Sequence, residues 1–393
     1  MSFQRQTLRV RIFQLALKLS NLLLQLPNRL APPPFRLMQI GSAFWQSRVL
    51  DVAARWDIAT ILADQALTMD ELAARLQVDP CALARLLRML AAMGIFAVDP
   101  QGRVTNNALS QPLRSDSPVC VRNMVLMHNS PEMSRPWYEA LERGVQSGQV
   151  PFTICHGQEM YAYMDAHAEF DALFSRAMDE VEALGGDSFA TAFDWRAFDR
   201  VIDVGGSKGA KSAAILRRHP SMRALVVDRP QIVAQARAWW SAQGDPACRE
   251  RIEFIEGDAL TGPLPVAAGA RDAYLLSAVL HGFDDAACVG ALKQVGLAAG
   301  DTGAAIVLLE MVMPDGDADL TSASFDMQMF MGTRGRERTR QEWQAAFSGA
   351  GLVLEEVVRL ASFGRMLVLR PAIRRDEGRG DTGLAPDACT PRR

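Results

Sequence analysis

The sequence has very little lysine and no close pairs of cysteine. Lysine occurs only at positions 18, 208, 211 and 293, and the six cysteines are scattered along the chain without a Cys-x-x-Cys pair. This spacing predicts neither a metal site nor a disulfide framework. We therefore expect free thiols and a cytoplasmic protein.

The chain also lacks an excess of basic charge. Its 393 residues include 42 lysines and arginines against 45 aspartates and glutamates, a net charge of -3. A general nucleic-acid binder needs a basic surface to meet the phosphates, so we expect no nucleic acid and a small-molecule partner instead. Hydrophobic residues make up 49% of the chain, which is enough for two sizeable domains.

Acidic residues are absent from the first 50 positions, which hold seven basic residues. Polar residues interrupt the apolar pattern there, so no stretch reaches the roughly 20 residues that a membrane-spanning helix needs. Residues 1–37 are predicted to form an amphipathic extension whose apolar face packs against the rest of the protein. The same composition permits a transit peptide or, over residues 5–26, peripheral contact with a membrane.

Residues 38–114 have the pattern of a winged helix. We expect a helix over 38–62, a short helix after a capping box at Thr68, a second over 83–93, and two strands around a turn at 101–102. Residues 66–114 carry five arginines against four acidic residues. This charge is too weakly basic for a DNA reader, which favours dimerisation or packing over the substrate.

The remainder of the chain is predicted to contain a helical connector and a larger domain. Residues 115–198 look helical and would cover the substrate. From 199 to 372, short apolar runs alternate with helical stretches, as in strands buried on both faces. The pattern predicts an α/β, doubly wound, Rossmann-like sheet with an antiparallel hairpin at one edge. The polar tail, 373–393, is expected to be disordered.

The stretch DVGGSKGAKSAAI, residues 203–215, looks like a ligand loop but fits neither common phosphate pattern. A Walker loop needs Gly-Lys-Ser/Thr, and the order here is Gly-Ala-Lys-Ser. A dinucleotide loop needs three glycines, and two of those places hold Ser207 and Ala210. Asp203 would repel a pyrophosphate but suits an ammonium group, so the loop favours S-adenosylmethionine as cofactor.

Two further acids follow neighbouring strands. Asp228 closes the second strand, where a carboxylate can accept both hydroxyls of a ribose. Asp258 closes the third, where it can receive an adenine amino group while Ala259 covers the ring. Each acid alone could cap a helix. Three acids at three successive strand ends lie where open sheets bind ligands, which favours a binding role.

Six stretches resemble, in order and spacing, the motifs of the S-adenosylmethionine-dependent O-methyltransferases, which include plant caffeate and flavonoid enzymes and bacterial enzymes for polyketides, phenazines and hydroxylated carotenoids. They are VIDVGGSKGAKSAAILRRHP, ALVVDRP, IEFIEGDAL, DAYLLSAVLHGFDD, LLEMVMPDG and GRERTRQEWQAAFSGAGL. The resemblance runs from about residue 40 to 370. It implies a homodimer that methylates a hydroxyl of a small, largely apolar metabolite, aromatic, polyketide-like or carotenoid-like.

The resemblance also implies catalytic roles for three residues. His281 matches the histidine that acts as general base on the acceptor hydroxyl. Glu310 and Glu337 match the acids that hold this imidazole in one tautomer. The residues alone leave alternatives open, because His281 could be a structural histidine and Glu337 could cap the helix that follows it.

The other site residues implied by the resemblance divide between cofactor and acceptor. Methionines are usually core residues, but flexible methionines suit a flat apolar substrate. Around the cofactor we expect, besides the three acids and Ala259, Gly205, Gly206, Ser207, Gly209, Ser277 and Met178. Around the acceptor we expect Phe174, Met327, Met329, Phe330 and Met331.

The chain departs from the family pattern at two places. Ser207 replaces the middle glycine of the Asp-x-Gly-x-Gly-x-Gly loop. A serine fits there if its backbone angles are ordinary, and its hydroxyl could bond the cofactor carboxylate, although crowding opposes this. Ser277 and Ala278 stand where the plant enzymes have Lys-Trp, which predicts more open adenine and substrate walls.

Two other functions remain compatible with the sequence. A relative that binds S-adenosylmethionine could catalyse hydroxylation or C-methylation instead of O-methylation. A winged-helix regulator could sense S-adenosylmethionine without catalysis, but the weak basicity of the winged helix argues against that role.

Overall fold

The computed structural model describes residues 8–316, 318–362 and 364–372. The tail 373–393, expected to be disordered, and positions 5–7 of the segment considered for membrane contact lie outside the described residues. No helix within these three ranges is long and apolar enough to cross a membrane.

The chain begins with a helical layer. Its helices are α1 (Leu8–Leu30), α2 (Pro33–Gly41), α3 (Phe44–Arg55) and α4 (Ile58–Leu62). The expectation of one helix over 38–62 was therefore wrong. Asp57 has φ 51°, a left-handed conformation that a right-handed helix cannot continue through, and the chain also turns after α2.

Helix α1 has two apolar sides. Val10 is only 4% exposed, so one side packs within the chain as expected. The other side is exposed, which corrects the expectation that the apolar face is covered. It consists of Leu8, Ile12, Leu15, Leu19, Leu22, Leu23, Leu26 and Leu30.

A winged helix follows, as predicted. It contains α5 (Met69–Leu76), α6 (Pro80–Ala92), β1 (Phe96–Val98) and β2 (Val104–Asn106). Thr68 and Glu71 form the expected capping box, and Asp79 caps the second helix through the Ala82 N–H. The two strands pair antiparallel. Leu87 and Leu90 are fully buried in the core of this unit.

The connector is helical, as predicted, and is divided into short pieces by proline and glycine. Its helices are α7 (Arg122–Asn129), α8 (Pro131–Glu139), α9 (Leu141–Ser147), α10 (Pro151–His156), α11 (Met160–Ala166), α12 (Ala168–Gly185) and α13 (Phe189–Ala192). Glu180 on α12 is buried and accepts hydrogen bonds from the backbone N–H groups of Asn123 and Met124. These bonds fix α12 against the first turn of α7.

The larger domain alternates strands and helices. They are β3 (Arg200–Val204), α14 (Ala210–Arg218), β4 (Arg223–Asp228), α15 (Pro230–Gln243), α16 (Pro246–Arg249), β5 (Ile252–Glu256), β6 (Asp272–Ser277), α17 (Asp285–Ala299), β7 (Ala305–Met313), α18 (Leu320–Gly332), β8 (Arg338–Thr339), α19 (Arg340–Gly349), β9 (Leu352–Arg359) and β10 (Gly364–Pro371). The predicted doubly wound domain is confirmed.

The sheet has the order β5-β4-β3-β6-β7-β10-β9, and β8 pairs separately with β7. The first five strands are parallel, whereas β10 runs antiparallel to both β7 and β9, which confirms the edge hairpin. Buried apolar side chains cover both faces. All the carboxyl ends of the parallel strands therefore meet at one edge, where open sheets bind ligands.

Candidate active site

His281 lies in one turn of 3-10 helix, Leu280–Gly282, just after β6. Its Nδ1 is 2.9 Å from Oε1 of Glu337 and 4.0 Å from Oε2 of Glu310. An ionised carboxylate can only accept a hydrogen bond, so Nδ1 carries the proton. The lone pair of the neutral imidazole is then on Nε2, which can accept a proton from a substrate.

The charges around His281 shift its titration. Burial acts to lower the pKa of His281, but the hydrogen bond to Glu337 and the charges of Glu310 and Glu337 outweigh it and raise the pKa above the ordinary value. The two carboxylates therefore stabilise the protonated imidazole, which is the form that a general base reaches after taking a proton.

Glu310 ends in a fully buried carboxyl group beside the histidine turn. Its Oε1 accepts the backbone N–H groups of Val279, at 3.1 Å, and Leu280, at 2.9 Å. Within the described residues its Oε2 has no hydrogen-bond partner. Burial raises the pKa of Glu310, although the charge of His281 and the two N–H bonds oppose the shift. Glu310 thus holds the turn and also faces the imidazole.

Glu337 is not a helix cap. Helix α19 is capped by Thr339, whose hydroxyl accepts the N–H of Glu342, while the Thr339 N–H donates to the Glu342 carboxylate. Glu337 is 5% exposed, and its backbone N–H donates to Asp326 on α18. The capping alternative is therefore excluded, and the carboxylate is free to hold His281.

Arg338 is a positioning residue that the sequence interpretation missed. It is 1% exposed, and its guanidinium donates to the carbonyls of Leu280, at 3.0 Å, and Phe283, at 2.8 Å. It also binds the carboxylate of Asp285 at 3.0 Å. These bonds tie β8 to the turn that carries His281. The only sequence signal is its place next to Glu337 in the GRERT motif.

Gly335 packs directly against the same turn. A Cβ atom at this position would lie 1.8 Å from the carbonyl oxygen of His281. Any side chain would therefore push the histidine turn away from the segment that carries Glu337.

Asp203 lies one residue before the end of β3, not at its end, and is 1% exposed. Its Oδ2 accepts a hydrogen bond from the Ser212 hydroxyl at 2.7 Å, while Oδ1 is buried without a partner in the described part of the chain. Burial raises the pKa of Asp203 to about 6. A buried acceptor without a partner is a site that an ammonium group can satisfy.

The glycine loop follows directly. Gly205 and Gly209 have φ values of 72° and 73°, and a Cβ at Gly206 would lie 2.6 Å from Cγ of Asp203. Ser207 has φ 50°, in the left-handed region, so the condition of ordinary backbone angles is not met. Its N–H donates to Oδ2 of Asp228 at 2.8 Å, and its side chain is exposed. The backbone of Ser207, rather than its hydroxyl, makes the contact seen here.

The other expected cofactor residues lie along the same edge. Asp228 ends β4, whereas Asp258 stands two residues beyond the end of β5, is exposed, and accepts the N–H of Leu260. Ala259 is 9% exposed and belongs to the hydrophobic cluster of one sheet face. Ser277 ends β6, because the next residue, Ala278, turns to φ 53°.

The expected acceptor residues lie on α12 and α18, and Met178, which is expected near the cofactor, also lies on α12. Phe174 and Met178 stand one turn apart on α12 and are half-buried. Met327, Met329 and Phe330 on α18 are also half-buried. Met331 differs from them. It is 2% exposed, so it packs inside the protein and does not present an open wall.

Comparison with known families decides the identity of the chain. Residues 137–353 match the family model described as "O-methyltransferase domain", and residues 38–116 match the "O-methyltransferase dimerisation domain". The first match alone spans more than half of the chain. The chain belongs to the O-methyltransferase family. It is an S-adenosylmethionine-dependent enzyme, and it carries the dimerisation domain of that family.

Individual relatives support this assignment over most of the chain. The methyltransferase is 30% identical to "Phenazine O-methyltransferase PhzM" of Lysobacter antibioticus, over 85% of this chain and 95% of that one. It is also 30% identical to "8-amino-8-demethylriboflavin N,N-dimethyltransferase" of Streptomyces davaonensis, over 80% and 89% of the two chains.

A solved structure of a similar protein contains S-adenosylmethionine and a second small molecule. It is an O-methyltransferase from neocarzinostatin biosynthesis in complex with S-adenosylmethionine and 2-hydroxy-5-methyl naphthoic acid. This methyltransferase matches it with a TM-score of 0.69 and 26% identity, over 83% of this chain and 96% of that chain.

Proposed function

We propose that the enzyme methylates a hydroxyl group of a small, largely apolar metabolite, aromatic, polyketide-like or carotenoid-like, with His281 as the general base. The observation that carries this proposal is the 2.9 Å contact between Nδ1 of His281 and Glu337. This contact leaves Nε2 free to accept a proton, in a turn at the carboxyl edge of the sheet.

His281 activates the acceptor by removing its proton. A neutral hydroxyl is a poor nucleophile, and an imidazole within hydrogen-bond reach can take the hydroxyl proton on Nε2 as the new bond forms. Glu337 and Glu310 then face a positively charged ring and offset its charge. When bound, S-adenosylmethionine supplies the methyl carbon, which its positive sulfur activates for transfer to the acceptor oxygen.

The cofactor site fits S-adenosylmethionine through its acids. Oδ1 of Asp203 is a buried acceptor that has no partner among the described residues, which suits the ammonium group. Asp228 would accept the ribose hydroxyls and Asp258 the adenine amino group, with Ala259 beside the ring. The remaining contacts would come from Gly205, Gly206, Ser207, Gly209, Ser277 and Met178.

The acceptor would lie between α12 and α18. Phe174, Met327, Met329 and Phe330 offer a half-buried, deformable apolar surface, which suits a flat ring better than a highly charged substrate. The relative that dimethylates 8-amino-8-demethylriboflavin gives an amine acceptor as a second candidate. A neutral amine has its own lone pair, so its methylation would depend much less on a base.

The enzyme is proposed to act as a homodimer in the cytoplasm. The dimerisation domain matches residues 38–116, and its apolar side chains Phe44 and Trp45 are 47% and 57% exposed in a single copy. A second copy would cover them. Cys81, Cys120, Cys155, Cys248 and Cys288 are free thiols, the form that a reducing cytosol maintains. Light scattering after size-exclusion chromatography should give twice the mass of one chain.

The decisive test combines product analysis with replacement of His281. Purified enzyme is incubated with S-adenosylmethionine and a panel of hydroxylated and amino-substituted aromatics and polyketides, and products are identified by mass spectrometry. His281→Ala should lower kcat for O-methylation by about 10²–10⁴-fold. An unchanged kcat for O-methylation in this variant would refute the role of His281 as the general base. Exclusive N-methylation, C-methylation or hydroxylation by the wild type would refute the reaction.

A further inference from the structure

Two lysines near the glycine turn, Lys208 in the loop and Lys211 in the first turn of α14, bind acids on the connector helix α12. Nζ of Lys208 lies 2.8 Å from Oδ2 of Asp179, and Nζ of Lys211 lies 2.6 Å from Oε1 of Glu182. The two lysines are three positions apart in the sequence, and so are the two acids, so the two ion pairs lie side by side. We call these two ion pairs the α12 clasp.

The clasp acts on the helix that carries the expected ligand contacts. Met178 precedes Asp179 directly and stands four positions before Glu182, so Met178 and Glu182 share one face of α12. Met178 packs against the hydrophobic cluster of the connector, so the clasp and this cluster hold neighbouring positions of the same helix. Separating the ion pairs would let this face move away from the glycines.

Both ends of the clasp are anchored by other contacts. On the loop, the indole N–H of Trp240 donates to the carbonyl of Lys208 at 2.7 Å, and Nζ of Lys211 lies 5.0 Å from the ring centre of Phe189. On the helix, Glu180 is buried against the first turn of α7. The clasp therefore joins two segments that are each held in place by further contacts.

The two pairs differ in exposure. The side chains of Lys208 and Asp179 are 29% and 58% exposed, whereas those of Lys211 and Glu182 are 14% and 36% exposed. Exposed pairs contribute little to stability and less exposed pairs contribute more. Lys211 and Glu182 should therefore be the stronger half of the clasp.

We propose that Lys208 and Lys211 are positioning residues that hold α12 over the cofactor loop, so that the bound cofactor can leave only after the clasp opens. This inference rests on the proposed function for the identity of the site. It gives the lysine at 208 a role, and it makes retention of the cofactor depend on the charges of Lys208 and Lys211.

The test compares wild type with Lys208→Gln/Lys211→Gln, which removes both charges at similar length. We expect S-adenosylhomocysteine to bind about fivefold to tenfold more weakly by calorimetry, and the KM for S-adenosylmethionine to rise equally, while kcat and the acceptor KM change less than about twofold. Hydrogen exchange should become faster in α12. Arg135→Gln, which breaks an exposed pair within α8, is the matched control and should change none of these values.

Charge reversal separates the clasp from a general loss of stability. Lys208→Asp should weaken S-adenosylhomocysteine binding, and Lys208→Asp/Asp179→Lys should restore it. Unchanged affinity and α12 exchange in the double glutamine variant would overturn the proposal, as would failure of the reversed pair to restore binding. The exchange measurement needs no turnover, so faster exchange in an enzyme without methyl transfer would support the clasp and refute the proposed reaction.

Discussion

Nδ1 of His281 is hydrogen-bonded to Glu337 at 2.9 Å, whereas Oε2 of Glu310 lies 4.0 Å away. The other carboxylate oxygen of Glu310, Oε1, accepts two backbone N–H groups. The two acids therefore do different work. Glu337 fixes the tautomer by a direct bond, whereas Glu310 fixes the turn and contributes charge.

Glu337→Gln should separate orientation from charge. The amide can still accept the Nδ1–H bond, but the negative charge that raises the pKa of His281 is lost. In the proposed mechanism His281 accepts a proton only when neutral, so activity should fall as pH drops through this pKa. The variant should move that acidic fall to lower pH and reduce kcat by about tenfold or more. A pH profile of kcat with the wild-type position of the acidic limb would contradict this.

Gly335→Ala should displace the histidine turn. The new Cβ would meet the carbonyl of His281 at 1.8 Å, so the backbone must shift. We expect kcat to fall by at least about tenfold and the free energy of unfolding to fall by about 1–3 kcal/mol. Gly290→Ala on α17 is the control, since its Cβ would meet nothing within 4 Å. Equal kcat and melting temperature in the two variants would exclude the steric argument.

Asp203→Asn should stabilise the ligand-free enzyme and weaken the binding of the cofactor. The pKa of Asp203 is raised to about 6 by burial. The pKa of this carboxyl is higher in the folded state than its unfolded value of about 3.9. The protonated group therefore favours the folded state below about pH 3.9, and this contribution to stability is lost as the pH rises to about 6. At neutral pH the variant should gain up to about 3 kcal/mol in unfolding free energy.

The same variant tests the ammonium contact. Loss of a charge-assisted hydrogen bond should raise the Kd for S-adenosylhomocysteine by about tenfold to a hundredfold. Urea unfolding at about pH 4 and at neutral pH, with calorimetry at neutral pH, measures both effects. A variant that binds S-adenosylhomocysteine like wild type would remove Asp203 from the cofactor site.

Ser207→Gly and Ser207→Ala test whether the backbone or the hydroxyl of Ser207 contributes to cofactor binding. Glycine relieves the left-handed backbone at φ 50°, which costs a non-glycine residue about 1 kcal/mol, while alanine keeps that strain and removes only the hydroxyl. Both keep the N–H bond to Asp228, so cofactor affinity should stay within about twofold of wild type. Weaker binding in both variants would show that the hydroxyl is a ligand.

Local patterns predicted much of this fold. Continuous apolar runs gave the strands, and Thr68 with Glu71 gave a helix start, because both signals lie within a few residues. The acids at the strand edge followed from the parallel topology. The left-handed backbone of Ser207 could not be read from the sequence, because residue type alone does not set φ when neighbouring bonds hold the backbone. Arg338 was missed because its partners lie more than 50 positions away, beyond any local pattern.

Because the chain has few lysines, opening of the clasp can be followed by chemical labelling of lysine side chains. Two of the chain's four lysines, Lys208 and Lys211, are paired with acids across the cofactor loop. An amine held in an ion pair reacts slowly with an acylating reagent, because its lone pair is protonated and screened. The ratio of labelling at these two lysines to labelling at Lys293 therefore reports the opening of α12 in the native enzyme, without an introduced probe.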